Sequence, residues 1–443
     1  MTGTNWWRSE RKWPNGLTCW NRKFISWQAK NLTLPLPSSW EAFYFDFDAP
    51  KLLGLADAAA DLGMELFVLD DGWFGKRDDS TSSLGDWYPN EEKLKGTLKE
   101  LAEKINAKGL KFGLWIEPEM TNKDSDLYRA HPDWLLAEQG KRICHSRTQY
   151  VLDFSKKEVR EYIGDMLENL LAEVPVSYIK WDMNRTFSEV FSNGNDREYQ
   201  GKVCHKYILG VYELYERLTS RFPHVLFESC ASGGARFDPG MLYYAPQGWT
   251  SDDTDAIERL KIQYGTSMVY PVSCMGSHVS ASPNHQTNRV TPIETRADVA
   301  YFGTFGYELD LLKLGEEDKT EIRRQIAFMK EKRDLIQKGT FYRLKSPFEG
   351  NETAWMIVSE DQKKALVGYY RVMQPVNVGF KRLKLKGLKE DTCYKVSGYA
   401  YDCYGDELMQ VGMILSDSAS GVWKKGVNDK GDFQAKVFEI VAV

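Results

Sequence analysis

The chain has 443 residues, 42 % of them hydrophobic and 27 % charged, with a formal net charge of -5 and no long run of lysine and arginine. Those values exclude a disordered chain, a nucleic-acid binder and a protein held to anionic membranes by charge, and leave small neutral molecules as the expected partners. No apolar run approaches the roughly 18 residues of a membrane span, and the opening "MTGTNWWRSERKW" lacks a signal-peptide core.

Seven cysteines without a CxxC pair indicate neither a disulfide framework nor a zinc site, so a reducing, cytoplasmic setting is expected. Aromatic residues make up 13 %, including 14 tryptophans. Indole faces grip sugar rings, but they also fill cores, and composition does not choose between the two.

The first 38 residues carry five tryptophans within 27 positions and show no helical or strand period, so they stay unassigned. From residue 39, short β-branched or aromatic runs alternate with longer helical patterns, the signature of βα units on a parallel sheet. The candidate strands are "AFYFDF" (42–47), "ELFVLDD" (65–71), "KFGLWIEP" (111–118), "YVLDF" (150–154), "SYIKWDM" (177–183), "VLFESC" (225–230), "GWTSDD" (248–253) and "MVYPVS" (268–273). Apolar stripes mark helices between them: Leu98, Leu101 and Ile105; Val159, Ile163, Met166 and Leu170; Tyr207, Val211, Leu214 and Leu218. "SKKE" at 155–158 reads as a capping box that opens a helix on Ser155.

This inventory predicts an α/β fold, a (β/α)8 TIM barrel over 39–339, with Gly339 stopping its last helix. The pattern then turns strand-like: "TAWMIVSE", "KALVGYYRV", "RLKLKGL", "TCYKVSGYA" and "DFQAKVFEIVAV" alternate apolar and polar residues. A smaller antiparallel β-sandwich over 340–443 is expected.

In a parallel barrel the C-terminal strand ends open onto the active site. Here those ends carry Asp70 and Asp71; Trp115, Glu117 and Glu119; Lys180, Asp182 and Asn184; Cys230; and Asp252, Asp253 and Asp255. The strand period of two puts Lys180, Asp182 and Asn184 on one face, away from Ile179 and Trp181. A single aspartate at a strand end is as readily a helix cap or turn former. Several strands ending this way point instead to chemistry. Paired carboxylates without metal ligands suit acetal cleavage, one as nucleophile and one as acid/base. Lys180 is expected to keep Asp182 ionised while a less compensated carboxyl holds its proton. His278 and His285 read as loop-holding residues, and His131, His145, His205 and His224 lack the spacing of a metal site. No metal or organic cofactor is implied.

The segments "FVLDDGWFG", "GLWIEPEM", "KWDMNR", "ESCASGGARFDPGML" and "WTSDDTDAIERLKIQYGT" together closely resemble the α-galactosidases of glycoside hydrolase family 36, over about residues 38–443. The resemblance implies that Asp182 is the nucleophile and Asp252 the acid/base. It implies that Asp70 and Asp71 bind the sugar 4- and 6-hydroxyls, with Trp115 on the same edge and Trp40 on the pocket wall. Arg147, Lys180 and Asn184 would contact ring hydroxyls. Cys230 and Gly233 would accommodate the 2-hydroxyl, favouring galactose over N-acetylgalactosamine.

Family members usually carry a large β-sandwich before the barrel that takes part in subunit assembly. This chain has a short tryptophan-rich leader in its place, which leaves a homo-oligomer open. The expectation is a retaining exo-α-galactosidase acting on small oligosaccharides of the melibiose and raffinose type. Galactosyl transfer, hydrolysis of α-N-acetylgalactosaminides and a non-catalytic galactoside-binding protein stand as alternatives. A metal-dependent barrel enzyme is disfavoured by Lys180 beside the proposed centre.

Overall fold

A computed structural model describes residues 36–144, 146–376, 381–416 and 431–443; most of the tryptophan-rich leader and His145 lie outside the described residues. Among the described residues ten strands precede residue 310: β1 (Leu36–Pro37), β2 (Leu66–Leu69), β3 (Lys111–Ile116), β4 (Met120–Asn122), β5 (Gln149–Val151), β6 (Tyr178–Trp181), β7 (Leu226–Ser229), β8 (Gln247–Trp249), β9 (Met275–Ser280) and β10 (Thr304–Glu308). Eight of them form one parallel sheet in the order β1-β10-β9-β8-β7-β6-β3-β2. A parallel bridge from Ser38 to Val68, with the Ser39 amide donating to the Val68 carbonyl at 3.1 Å, joins its two edges and closes the barrel. The expected eight-stranded barrel is therefore present, and closure leaves it no free edge.

Its strands are buried on both faces, as β2 shows with all four residues enclosed. Outside them, the helix Leu98–Ala107 is fixed at its start by a capping box from Thr97 and Glu100 and buries Leu98, Leu101 and Ile105. Each such side chain contributes about 1.5–3 kcal/mol relative to exposure. Lys157–Glu173 and Val203–Arg221 bury the expected stripes, with Met166 only partly covered.

Several expected elements lie elsewhere. Residues 42–47 are not a strand: a helical turn Trp40–Phe43 ends at Tyr44, whose φ of 50° breaks extended pairing, and Asp48 then caps the helix Ala49–Asp61. The first barrel strand is the shorter β1. "YVLDF" supplies β5, which pairs antiparallel with β4 in a hairpin outside the barrel, because β6 takes the place beside β3. β8 stops at Trp249, and Ser251 leaves the sheet to bridge Gly233. In "MVYPVS", Pro271 has no amide hydrogen for a ladder and introduces a 3-10 turn, so the strand begins later as β9. β10 completes the count. Ser155 does not cap: its hydroxyl donates to Asp153 at 2.5 Å, and the helix begins at Lys157 without a side-chain cap.

The helix Glu316–Lys338 leads into a second, antiparallel sheet. It contains β11 (Thr340–Lys345), β12 (Glu352–Val358), β13 (Lys364–Arg371), β15 (Cys393–Val396), β16 (Cys403–Tyr404) and β18 (Gln434–Ala442), in the order β11-β12-β13-β18-β15-β16. A two-stranded sheet, β14 (Lys381–Leu383) with β17 (Met413–Ser416), covers it. The strand period divides the six-stranded sheet between two cores. Trp355, Ile357, Leu366 and Tyr370 join the barrel's core, while Ala354, Met356, Val358, Ala365 and Val367 pack with Leu383 and Met413.

Candidate active site

The C-terminal ends of β2, β3, β6, β7 and β8 converge at one mouth of the barrel. Asp182 follows directly on β6, its amide still donating to the Ile116 carbonyl at 2.8 Å. Its buried carboxylate is fixed by three donors: Trp115 Nε1 at 3.2 Å and Asn184 Nδ2 at 2.8 Å on Oδ2, and the Met183 amide at 2.8 Å on Oδ1.

Lys180 does not pair directly with Asp182. Its ammonium bonds Asp70 Oδ2 at 2.9 Å in a nearly closed pair. Burial alone would depress the Lys180 ammonium, but Asp70, then Cys230, Glu308 and Asp182 hold it well above its ordinary range. It therefore remains cationic. Asp70 also receives Ser38 Oγ at 3.3 Å. Asp71 turns to a different partner: Arg77 grips it with Nε at 2.9 Å and Nη2 at 2.7 Å, both side chains being buried. Gly72, with φ of 110°, provides the bend that lets the adjacent carboxylates separate at the strand end.

Asp252 stands on the loop after β8. Its carboxyl reaches solvent at the mouth yet is walled by protein on its other sides; that enclosure, then the charges of Asp182 and Glu308, push it up to about 6 against the pull of Lys180 and Arg147. The other aspartates of "SDDTD" are structural. Asp253 accepts the Asp255 amide, and Asp255 caps the helix Ala256–Thr266 and pairs with Arg289.

Gly233, with φ of 83°, lies so close to the Asp252 loop that an added Cβ would stand 2.5 Å from Ser251 Cα and 2.7 Å from the Asp252 nitrogen. The two glycines of "ASGG" thus bring backbone against backbone, Gly234 meeting the Thr250 carbonyl. Cys230 is buried at the end of β7, its thiol pushed well up by burial and by Asp182. Arg147 is exposed at the rim, 3.5 Å from Ser232 Oγ, which donates to Asn184 Oδ1 at 3.0 Å. Trp40 lies half-buried in the turn after β1, edge-on to Tyr44 and Phe45. Trp115 is only 2 % exposed, so its described contact is with the Asp182 carboxylate rather than an open sugar-facing surface.

Residues 6–339 match the family model "Melibiase", and residues 352–440 match "Glycosyl hydrolase family 36 C-terminal domain". The chain belongs to the melibiase family. Among family relatives it is 53 % identical over 393 residues to alpha-galactosidase AgaA of Geobacillus stearothermophilus, covering 88 % of this chain and 54 % of AgaA. It is 46 % identical to alpha-galactosidase Mel36A of Lactobacillus acidophilus, covering 92 % of this chain and 54 % of Mel36A. The crystal structure of an AgaA variant in complex with raffinose superposes with a TM-score of 0.90 at 50 % identity, over 94 % of this chain and 56 % of that one. The chain thus spans about half the length of these relatives.

Within this melibiase-family site, further residues hold the named ones: Glu117, Glu119 and His278 are among the residues read from the sequence, whereas Glu308, Arg77 and Arg236 are not. Glu117 is fully buried and accepts from the Asn184 amide and from Gln149 Nε2. Burial, then Asp182, push it up to about 8. Glu119 receives Trp181, Tyr207 and Arg236, tying β6 to the glycine loop. Glu308 on β10 and His278 on β9 face each other, the imidazole kept neutral by burial. Arg77 and Arg236 carry no sequence signal: Arg77 reaches Asp71 through the loop after β2, and Arg236 reaches Glu119 from the loop after β7. The described residues contain no His/Cys/Asp/Glu group able to hold a metal ion, and no described helix is long and apolar enough to cross a membrane.

Proposed function

We propose that this chain hydrolyses terminal α-galactosyl bonds with net retention, with Asp182 as nucleophile and Asp252 as acid/base. The observation that carries the reading is the unlike setting of the two carboxyls. Three donors fix Asp182, whereas Asp252 is held at about 6 and so retains a proton-transfer role near neutral pH.

Asp182 attacks the anomeric carbon as the glycosidic bond breaks, and Asp252 gives its proton to the departing oxygen. The galactosyl ester is then cleaved by water, whose proton returns to Asp252. Asp70 and Asp71 offer strong acceptors for the axial 4-hydroxyl and the 6-hydroxyl, and Lys180, Asn184 and Arg147 offer donors to the ring. Trp40, Cys230 and Gly233 complete the pocket in this reading, with Trp115 behind it fixing Asp182. Raffinose-type oligosaccharides are the proposed substrates, supported by one relative, AgaA, whose variant structures hold raffinose and stachyose. Residues 39–339 are the catalytic unit and 340–443 the accompanying sheet domain. A cytoplasmic setting accords with the six described cysteines, all unpaired.

The test is turnover of an aryl α-galactoside by the purified chain, beside Asp182→Ala with and without azide. Loss in the variant and its return as β-galactosyl azide support nucleophile and retention together. A folded, inactive wild-type chain that still binds galactose overturns hydrolysis in favour of recognition alone.

A further inference from the structure

Thr254, two residues beyond Asp252, is only 4 % exposed and is held from two directions. Three bonds come from the end of β9 and the segment following it: its amide donates to Gln286 Oε1 at 3.1 Å, its hydroxyl accepts from Asn284 Nδ2 at 3.1 Å, and its carbonyl accepts from Ser280 Oγ at 2.9 Å. The fourth comes from far away. The Thr254 hydroxyl donates to Glu41 Oε1 at 3.2 Å, across 213 residues of sequence. Glu41 lies in the helical turn just after β1, and β1 is separated from β8 in the closed sheet by β10 and β9. The Glu41–Thr254 bond is therefore a chord across the mouth. It ties the loop that carries Asp252 to the barrel's first strand.

Resting on the hydrolase reading above, we propose that Glu41 is a positioning residue for Asp252, setting the acid/base loop at the distance from the glycosidic oxygen that proton transfer requires. The bond is well placed for this. The Glu41 side chain is 5 % exposed, so water cannot readily replace the acceptor, and a hydroxyl that loses it is left buried with an unused donor. His285 Nδ1 approaches the same oxygen at 3.5 Å and adds a second link to the segment after β9. Burial, then the charge of Glu308, push the Glu41 carboxyl up to about 8, so at neutral pH it is an uncharged acceptor that glutamine reproduces in shape and charge. Proton delivery fails with small displacements of a catalytic group, which is why a contact outside the reacting atoms matters here.

The experiment compares kcat/KM, which reports the first displacement, on melibiose and on 2,4-dinitrophenyl α-galactoside. Melibiose needs its leaving oxygen protonated; dinitrophenolate leaves without help. Glu41→Ala is expected to lose about 10- to 100-fold on melibiose and no more than about 3-fold on the activated substrate. Glu41→Gln is expected to recover most of the melibiose loss. Thr254→Val removes the same bond from its other end and is expected to show the same selective loss, which covers the case in which Glu41→Ala does not fold. Equal losses on both substrates, or a glutamine variant as impaired as the alanine one, overturn the positioning role while leaving the hydrolase reading intact. No turnover of either substrate by the wild-type chain overturns both.

Discussion

Trp115 Nε1 donates to the Asp182 carboxylate at 3.2 Å from the neighbouring strand, so the indole on β3 fixes the group just after β6. Its ring lies parallel to Phe74 at 6.2 Å, and its carbonyl accepts from Trp73 Nε1, so the donor's own position is set by packing. A hydrogen bond to a charged group contributes about 1.5–3 kcal/mol. Trp115→Phe keeps an aromatic ring and removes the donor. Its kcat on an aryl α-galactoside is expected to fall by about 10- to 100-fold, with a small drop in Tm. Wild-type kcat in a folded variant would show that Met183 and Asn184 suffice.

The pH profile should bear the mark of Asp252. In the proposed mechanism Asp252 is the general acid, which works only while protonated, and this carboxyl is held near 6 by its enclosure and by Asp182. As pH rises through that value, kcat/KM on an unactivated galactoside is expected to fall, approaching tenfold per unit. Asp252→Asn has nothing to titrate there. Its much lower rate on the same substrate should lack that alkaline limb, and a limb that persists would assign the titration to another group.

Gly233 offers a test of how the Asp252 loop is held. Its φ of 83° favours glycine, and the atoms a Cβ would meet are backbone atoms of Ser251 and Asp252 that cannot rotate away. Gly233→Ala is therefore expected to cost about 1–3 kcal/mol of stability and to lower kcat more than it raises KM. Thermal unfolding and steady-state kinetics read the two effects separately. An unchanged kcat would mean that the loop adapts without moving Asp252.

The barrel was legible because its longer strands read as short β-branched or aromatic runs, and β2, β3, β6 and β7 stand where such runs are. Short strands were not. β1 has two residues and β8 three, too few to show a period, while "AFYFDF" is apolar for a different reason: Phe47 packs into the core from a connection that Tyr44 and Asp48 force out of extended pairing. The strand-end polar residues could be named because a strand's alternation fixes which side chains share a face. Their partners could not be. Arg77 meets Asp71 through the path of the loop after β2, and Glu41 meets Thr254 only once the sheet has assembled; residue spacing carries no trace of either. Lys180 illustrates the boundary: its face was readable, but its choice of Asp70 over Asp182 is set by the neighbouring strands.

Glu228 connects the same electrostatics to stability. It is 3 % exposed on β7, accepts from Gln247 Nε2 at 3.0 Å, and is pushed up to about 8 by burial, then by Glu308 and Asp70. The unfolded chain releases this proton near 4.5, the ordinary value for glutamate. Between about 4.5 and about 8 the folded state thus binds the extra proton, so stability falls as pH rises across that window, by at most about 1.4 kcal/mol per unit. Below 4.5 both states are protonated and the contribution is fully present; above 8 it is lost. Glu228→Gln removes the titration and keeps an acceptor for Gln247. The variant's Tm relative to wild type is expected to rise steadily between pH 5 and pH 8, about where the folded carboxyl titrates. A pH-independent difference between the two proteins would show that Glu228 is already ionised inside the barrel, with a neighbouring cation compensating it.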